Sequence, residues 1–279
     1  MMSERALSPS VSAYAPSAPT ALAARPDLEE VALYLVAKLS QGSDPIGSGV
    51  AWRVYRDEVG ADGERPLVTR SEGGDLDLRL SPGRYVVHAS YGRAAVSRTL
   101  DLTRAVNVET LVLDAGGLQL AAVLDDPARP VSDDTQFELY GDEGGERRLL
   151  GTIRAGSIAR LRAGTYHVVS RYGGLNAVRS ADVKVEAGKL TRVSLRHAAG
   201  TVRLKLVRDA GGEALANTAW TVYGDDGEAV FERVGAHAAL TLAEGRYEAV
   251  AQHRDITFRR TFTVRSGDEE DVTVLARQL

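Results

Sequence analysis

Apolar and polar residues alternate with a period of two along most of this chain, the pattern of strands with one face buried and one face wet. "DLDLRL", Asp75 to Leu80, alternates strictly and sets Leu76, Leu78 and Leu80 on one face. "VRLKLV" (Val202 to Val207), "DVKVEAG" (Asp182 to Gly188) and "TFTVRSG" (Thr261 to Gly267) also read as strands, the last two closed by turns. Gly, Asp and Pro punctuate the strands at intervals of about 8–12 residues, the spacing expected of a sandwich or barrel. No apolar stripe of helical period and length is present, so the pattern predicts an all-β protein.

The same pattern returns three times. "LSPGRYVV" begins at Leu80, "LRAGTYHVV" at Leu161 and "LAEGRYEAV" at Leu242, which sets Tyr85, Tyr166 and Tyr247 81 residues apart. Upstream, "WRVY" (Trp52 to Tyr55), "FELY" (Phe137 to Tyr140) and "WTVY" (Trp220 to Tyr223) form a second recurring anchor. A third follows the tyrosine motif, with "SYG" at Ser90 matching "RYGG" at Arg171 and His253 in the equivalent place of the third copy. Agreement at several positions with one spacing indicates duplication. About seven short strands per unit predict three tandem seven-stranded antiparallel β-sandwich domains. Their boundaries fall at 28–115, 116–199 and 200–279, after a leader over 1–27.

Leu, two residues, Gly, one residue, Tyr is the sequence form of a tyrosine corner. Gly83, Gly164 and Gly245 allow the sharp turn, and the hydroxyls of Tyr85, Tyr166 and Tyr247 are expected to reach backbone a few residues upstream. A buried phenol needs a hydrogen-bond partner, so the motif is a geometric lock and its role is structural. The joints "DAGG" (Asp114 to Gly117) and "HAAG" (His197 to Gly200) are too short to act as flexible linkers. Three sandwiches in line make a rod of about 80–110 Å, a folded-back arrangement being the alternative.

"LSPGRYVVHASYG", "LRAGTYHVVSRYG" and "LAEGRYEAVAQHR" resemble the carboxypeptidase regulatory-like, or transthyretin-like (prealbumin-like, Ig-like), β-sandwich domains of bacterial envelope proteins. The resemblance extends over Leu28 to Leu279. It implies non-catalytic modules that bind, space or stabilise. It transfers no invariant site, and no enzyme domain accompanies the modules in this chain.

Composition narrows the chemistry. A chain of 279 residues with 44% hydrophobic and 26% charged residues has ample material for two or three globular cores. A net charge of -4 gives no reason to expect a nucleic-acid partner, whose phosphates favour a basic face. With no cysteine, disulfides, thiolate metal sites and cysteine nucleophiles are excluded. No run of 18 apolar residues spans a membrane as a helix. The leader, rich in Ala, Ser and Pro, has too little apolar bulk to fold alone and lacks the continuous apolar core of a secretory signal. "TALAA" at Thr20 nevertheless resembles a small-residue cleavage site, so a disordered leader and an export signal both stand.

Catalytic motifs do not survive inspection. His88, His167, His197, His237 and His253 show no HxxxH or HExxH spacing, and GxSxG is absent. "AGKL" at Gly188 lacks the remainder of a phosphate loop and reads as a hairpin turn. The acidic turns "GDEGGE" at Gly141 and "GDDGE" at Gly224 suit tight turns, with calcium as the open alternative. No catalytic, cofactor or metal residue is therefore assigned. Trp52, Phe137 and Trp220 alternate in step with Val54, Leu139 and Val222 and are expected in the core. Tyr55, Tyr140 and Tyr223 lie on the opposite face and, with Tyr91 and Tyr172, form the candidate binding surface. The expectation is a non-catalytic envelope protein presenting surfaces to a protein partner, or alternatively a carbohydrate-binding module using those tyrosines. It would be periplasmic or extracellular, with the cytoplasm as the alternative.

Overall fold

A computed structural model describes residues 30–124, 135–143 and 146–277. The leader over 1–27 lies outside the described residues. Among the described residues every regular element is a strand. The first repeat comprises β1 (Val31–Lys38), β2 (Val50–Arg56), β3 (Leu67–Gly73), β4 (Leu76–Leu80), β5 (Gly83–Tyr91), β6 (Ala94–Leu102) and β7 (Val106–Val112). The second comprises β8 (Ala115–Leu124), β9 (Gln136–Glu143), β10 (Glu146–Arg154), β11 (Ile158–Arg162), β12 (Gly164–Tyr172), β13 (Ala177–Val185) and β14 (Leu190–His197). The third comprises β15 (Ala199–Val207), β16 (Ala219–Gly224), β17 (Ala229–Val234), β18 (His237–Ala243), β19 (Gly245–His253), β20 (Ile256–Val264) and β21 (Glu269–Leu275).

Each repeat is a sandwich of a three-stranded and a four-stranded sheet, ordered β4-β1-β7 and β3-β2-β5-β6 in the first copy and identically in the others. The four-stranded sheets are antiparallel as expected. The three-stranded sheets are mixed, and here the expectation of wholly antiparallel sandwiches is corrected. β1 pairs parallel with β7, β8 with β14 and β15 with β21. First and last strands of a repeat run the same way because the chain reverses an even number of times between them.

Alternation along the strands builds the cores. In β5, Tyr85, Val87 and Ala89 are buried, and in β19, Tyr247, Ala249 and Ala251. Trp52, Phe137 and Trp220 are the large anchors of three separate clusters, each at most 1% exposed. The indoles also find acceptors: Trp52 Nε1 donates to the Gly74 carbonyl at 2.8 Å and Trp220 Nε1 to that of Gly235 at 3.1 Å. The three recurring tyrosines behave alike. Tyr85, Tyr166 and Tyr247 donate to the carbonyls of Ser81, Arg162 and Ala243, each four residues upstream, at 2.8, 2.9 and 2.8 Å. Burial raises the pKa of all three phenols, which keeps them protonated as donors.

The joints repeat as well. The carbonyls of Asp114 and Ala198 accept from the amides of Ala163 and Glu244, and those of Ala115 and Ala199 accept from Gly188 and Gly267. Gly116 and Gly200 follow. A Cβ there would lie 2.2 Å from the Glu186 carbonyl oxygen and 2.5 Å from that of Arg265. Only glycine lets the chain pass this close to the neighbouring backbone.

Candidate binding surface

Tyr55, Tyr140 and Tyr223 stand at the end of the WRVY-type strands, pointing away from the core that holds Val54, Leu139 and Val222. A β-bulge accompanies each of them. Register shifts occur between Val54 and Tyr55, opposite Leu139 and Tyr140, and between Val222 and Tyr223. The residue skipped on the partner strand is apolar every time: Val68, Leu150 and Val230. A bulge bends its strand and re-aims neighbouring side chains. A hollow lies beside each tyrosine.

The hollows have volumes of 690, 370 and 320 Å³ in the first, second and third repeats. These values fall within the range for small-ligand sites, which runs to about 1,000 Å³. Their position is shared and their chemistry is not. The cross-strand neighbour is Val86 for Tyr55, His167 for Tyr140 and Glu248 for Tyr223. In the first hollow His88 Nδ1 lies 2.9 Å from Ser97 Oγ, and burial followed by the Arg53 charge lowers its pKa. In the second, His167 Nδ1 lies 2.7 Å from Asp182, and the Tyr140 hydroxyl donates to Glu138 at 2.8 Å, which raises the phenol's pKa. In the third, Arg259 pairs with Glu248 at 2.8 Å. Each hollow thus offers an aromatic ring beside hydrogen-bonding groups already engaged with one another.

Tyr91 and Tyr172 do not share this surface. The parity of β5 and β12 turns both toward the cores, and they end at the joints. Arg160 of the second repeat stacks on the Tyr91 ring at 4.4 Å, and Tyr172 lies 5.9 Å from His197. The sequence placed them with the outward tyrosines because it could not show that the strand runs inward to its last residue.

Two other features were missed. His197 is buried, its Nε2 2.9 Å from the buried Ser170 hydroxyl and its Nδ1 without a partner. Ala89 and Leu113 occupy the equivalent places in the first repeat, so no internal match drew notice. Arg98, Arg179 and Arg260, again 81 apart, donate to the carbonyls of Thr110, Arg196 and Thr273 on the last strand of each repeat. That spacing was a readable signal. The acidic turn at Gly224 serves the backbone, as expected of a tight turn: Asp226 Oδ1 accepts from the Glu228 amide at 3.0 Å. Gly144 and Gly145 of the acidic turn at Gly141 lie outside the described residues. Among the described residues no three His, Asp or Glu side chains converge as a metal would require. No helix among them is long and apolar enough to cross a membrane.

The fold and surface define a tandem-repeat protein of three β-sandwich modules. Within it, residues 201–276 match the model of the Rhizobiales growth-associated tandem repeat domain. That stretch is the third repeat. No curated protein matches the chain. Solved structures similar to it include a minor pilin of Streptococcus agalactiae (GBS52), at 16% identity and a TM-score of 0.34, covering 60% of this chain and 95% of that one. A streptococcal ancillary pilin is similar at 13% identity and a TM-score of 0.33, covering 90% and 100%. The Bacillus anthracis TIE protein is similar at 18% identity and a TM-score of 0.27, covering 88% of this chain; the chain spans half the length of that protein.

Proposed function

We propose that this chain is a non-catalytic structural and binding protein of the bacterial envelope, in which three sandwich modules, bounded at 28–115, 116–199 and 200–279, present surfaces at fixed spacing to a protein partner. The observation that carries the reading is the repetition of the joints. Hydrogen bonds cross both: at the first, the Arg93 amide donates to the Arg160 carbonyl and the Ala115 amide to that of Leu39, and at the second, Asn176 bonds the Tyr247 hydroxyl and the Ala243 amide. Modules held by ordered hydrogen bonds keep their spacing, and spacing is what a presenting protein supplies. The matched description, a growth-associated tandem repeat of Rhizobiales, is in keeping with a bacterial setting. The transthyretin-like or carboxypeptidase regulatory-like kinship belongs to this proposal and rests on the motif resemblance. Fractionation of the native cell with mass spectrometry of the N-terminus tests it. Recovery from periplasm, surface or medium supports the envelope reading, and an intact Met1 or Met2 start confined to the cytosol overturns it.

The bulge and hollow beside Tyr55, Tyr140 and Tyr223 favour a second reading, carbohydrate binding by those rings. Calorimetric titration against soluble polysaccharides is its test. Binding that weakens stepwise with Tyr55→Ala, Tyr140→Ala and Tyr223→Ala supports it, and silence across neutral and acidic glycans removes it.

A further inference from the structure

The hairpin that ends each tyrosine-bearing strand turns at Gly92 in the first repeat, Gly173 in the second and Arg254 in the third, positions 81 residues apart. In the first two copies this turn is the docking element of the joint. The Arg93 amide donates to the Arg160 carbonyl at 2.9 Å, and the Arg93 guanidinium donates to the carbonyl of Leu150. In the second joint Asn176, four residues past Tyr172, spans the gap with both ends of its amide. Its nitrogen donates to the Tyr247 hydroxyl at 2.9 Å and its oxygen accepts from the Ala243 amide at 3.0 Å. The surface met by each turn is the residue just before the Leu of the next repeat's tyrosine motif, Arg160 or Thr241.

Contact at the turn leaves no room for a side chain. A Cβ at Gly92 would lie 2.7 Å from Arg160 Cβ and 3.0 Å from its carbonyl oxygen, and one at Gly173 would lie 2.4 Å from Thr241 Cβ. Both glycines also hold positive φ, at 62° and 69°. Arg254 adopts the same backbone region, φ 50°, and is followed by Asp255 at 64°. Arg is a poor residue for a left-handed position, where glycine, asparagine or aspartate is favoured. The third copy therefore accepts an unfavourable turn in exchange for a bulky, charged tip where its siblings carry the docking glycine. A heterologous contact that repeats along one chain is able to repeat between chains, giving open-ended association unless one end is blocked.

We infer that position 92/173/254 is the stacking determinant of this repeat, and that Arg254 and Asp255 unfit the third copy's turn for docking a further sandwich in the manner of the two joints. The partner the glycine turn fits is a β-sandwich of this same type, engaged through the strand before its tyrosine. This holds whatever compartment the protein occupies.

The chain has no cysteine, so a Leu149→Cys/Val234→Cys pair takes two spin labels cleanly, one in the second repeat and one in the third. Pulsed electron paramagnetic resonance on the full chain then reads the spread of the distance across the second joint. Gly173→Arg/Gly174→Asp, which puts the third copy's Arg-Asp pair at the first two positions of that turn, is expected to broaden a narrow distribution severalfold. Gly174→Arg is the control, because Gly174 has φ 76° and an added Cβ there would meet nothing within 4 Å, so it carries backbone strain without collision. It should leave the distribution narrow. Gly92→Arg, read with labels across the first joint, repeats the test should the second-joint variant not fold. An unchanged distribution in the grafted turn, or equal broadening in the Gly174→Arg control, overturns the inference.

Discussion

Removing one oxygen atom at three equivalent positions separates the contribution of the tyrosine hydrogen bond from that of the joint. Tyr85 is 1% exposed and its hydroxyl has the Ser81 carbonyl as acceptor. Tyr85→Phe keeps the ring and loses one hydrogen bond in a dry place, which costs about 1–2 kcal/mol. Tyr166 makes the same bond where water has better access, and Tyr166→Phe should cost about 1 kcal/mol or less. Tyr247 is 5% exposed, donates to Ala243 and also accepts from Asn176 of the preceding repeat. Tyr247→Phe removes both bonds and strands an amide hydrogen at the joint, so about 2–3 kcal/mol is expected. The assay is denaturant unfolding followed by hydrogen-exchange mass spectrometry, which resolves each repeat, because a three-module chain has no single unfolding free energy. For a module of this size each kcal/mol corresponds to roughly 4–8 °C in Tm. A double-mutant cycle between Tyr247→Phe and Asn176→Ala should return a coupling of about 1 kcal/mol. Equal losses at all three positions, or no coupling in the cycle, would refute the reasoning.

Acidification should weaken the second repeat. Burial, then the Arg179 charge, lowers the His197 pKa against a smaller opposing pull from the Ala177 backbone, and the unfolded chain takes up the proton first. Stability is then full above the ordinary histidine value of 6.5 and falls as pH drops below it, an effect that His197→Leu should abolish in thermal melts of the second repeat. Gly200→Ala should destabilise by about 1–3 kcal/mol in equilibrium unfolding, since its Cβ meets the Arg265 carbonyl at 2.5 Å. Gly47→Ala, with open space around it, should be nearly neutral. Arg179→Ala, which uncovers the Arg196 carbonyl on the last strand, should change stability by less than about 1 kcal/mol while raising light scattering on concentration.

Most of the fold was legible because period-two alternation and a constant repeat length are local properties of the chain. Leu76, Leu78 and Leu80 announced a strand with one wet face, and Trp52, Phe137 and Trp220 announced the cores. The parallel pairing of β1 with β7 was not legible, because nothing local in Val106 to Val112 says which way its partner runs. The bulges at Tyr55, Tyr140 and Tyr223 were hidden for a related reason. A bulge is a relation between two strands, and the extra residue, Val68, Leu150 or Val230, looks like any other apolar strand residue. Tyr91 and Tyr172 were misplaced because whether a strand's last residue faces core or solvent depends on where the turn begins. Gly92 and Gly173 were legible as turn residues, but their contact with Arg160 and Thr241 belongs to the joint alone.

Arg98, Arg179 and Arg260 bear on how a partner can engage. The last strand of each three-stranded sheet is an edge, and an open edge invites another strand to pair with it. Each of these arginines reaches from the penultimate strand across to the last one and occupies a carbonyl there, Thr110, Arg196 or Thr273. In the first repeat the same guanidinium also pairs with Glu109 at 3.3 Å, so the edge is covered by charge as well. A strand adding to this edge has to displace a charged hydrogen bond before it gains a neutral one, and charge-assisted bonds are the stronger of the two. Strand addition at the last strand is therefore disfavoured in all three modules alike. The partner binding proposed above then falls to the other sheet edges or to the sheet faces, where the tyrosines opposite the bulges stand with three different sets of neighbours. A partner reading those faces meets Val86, His167 and Glu248 in turn, so the array presents three distinct surfaces on one repeated frame.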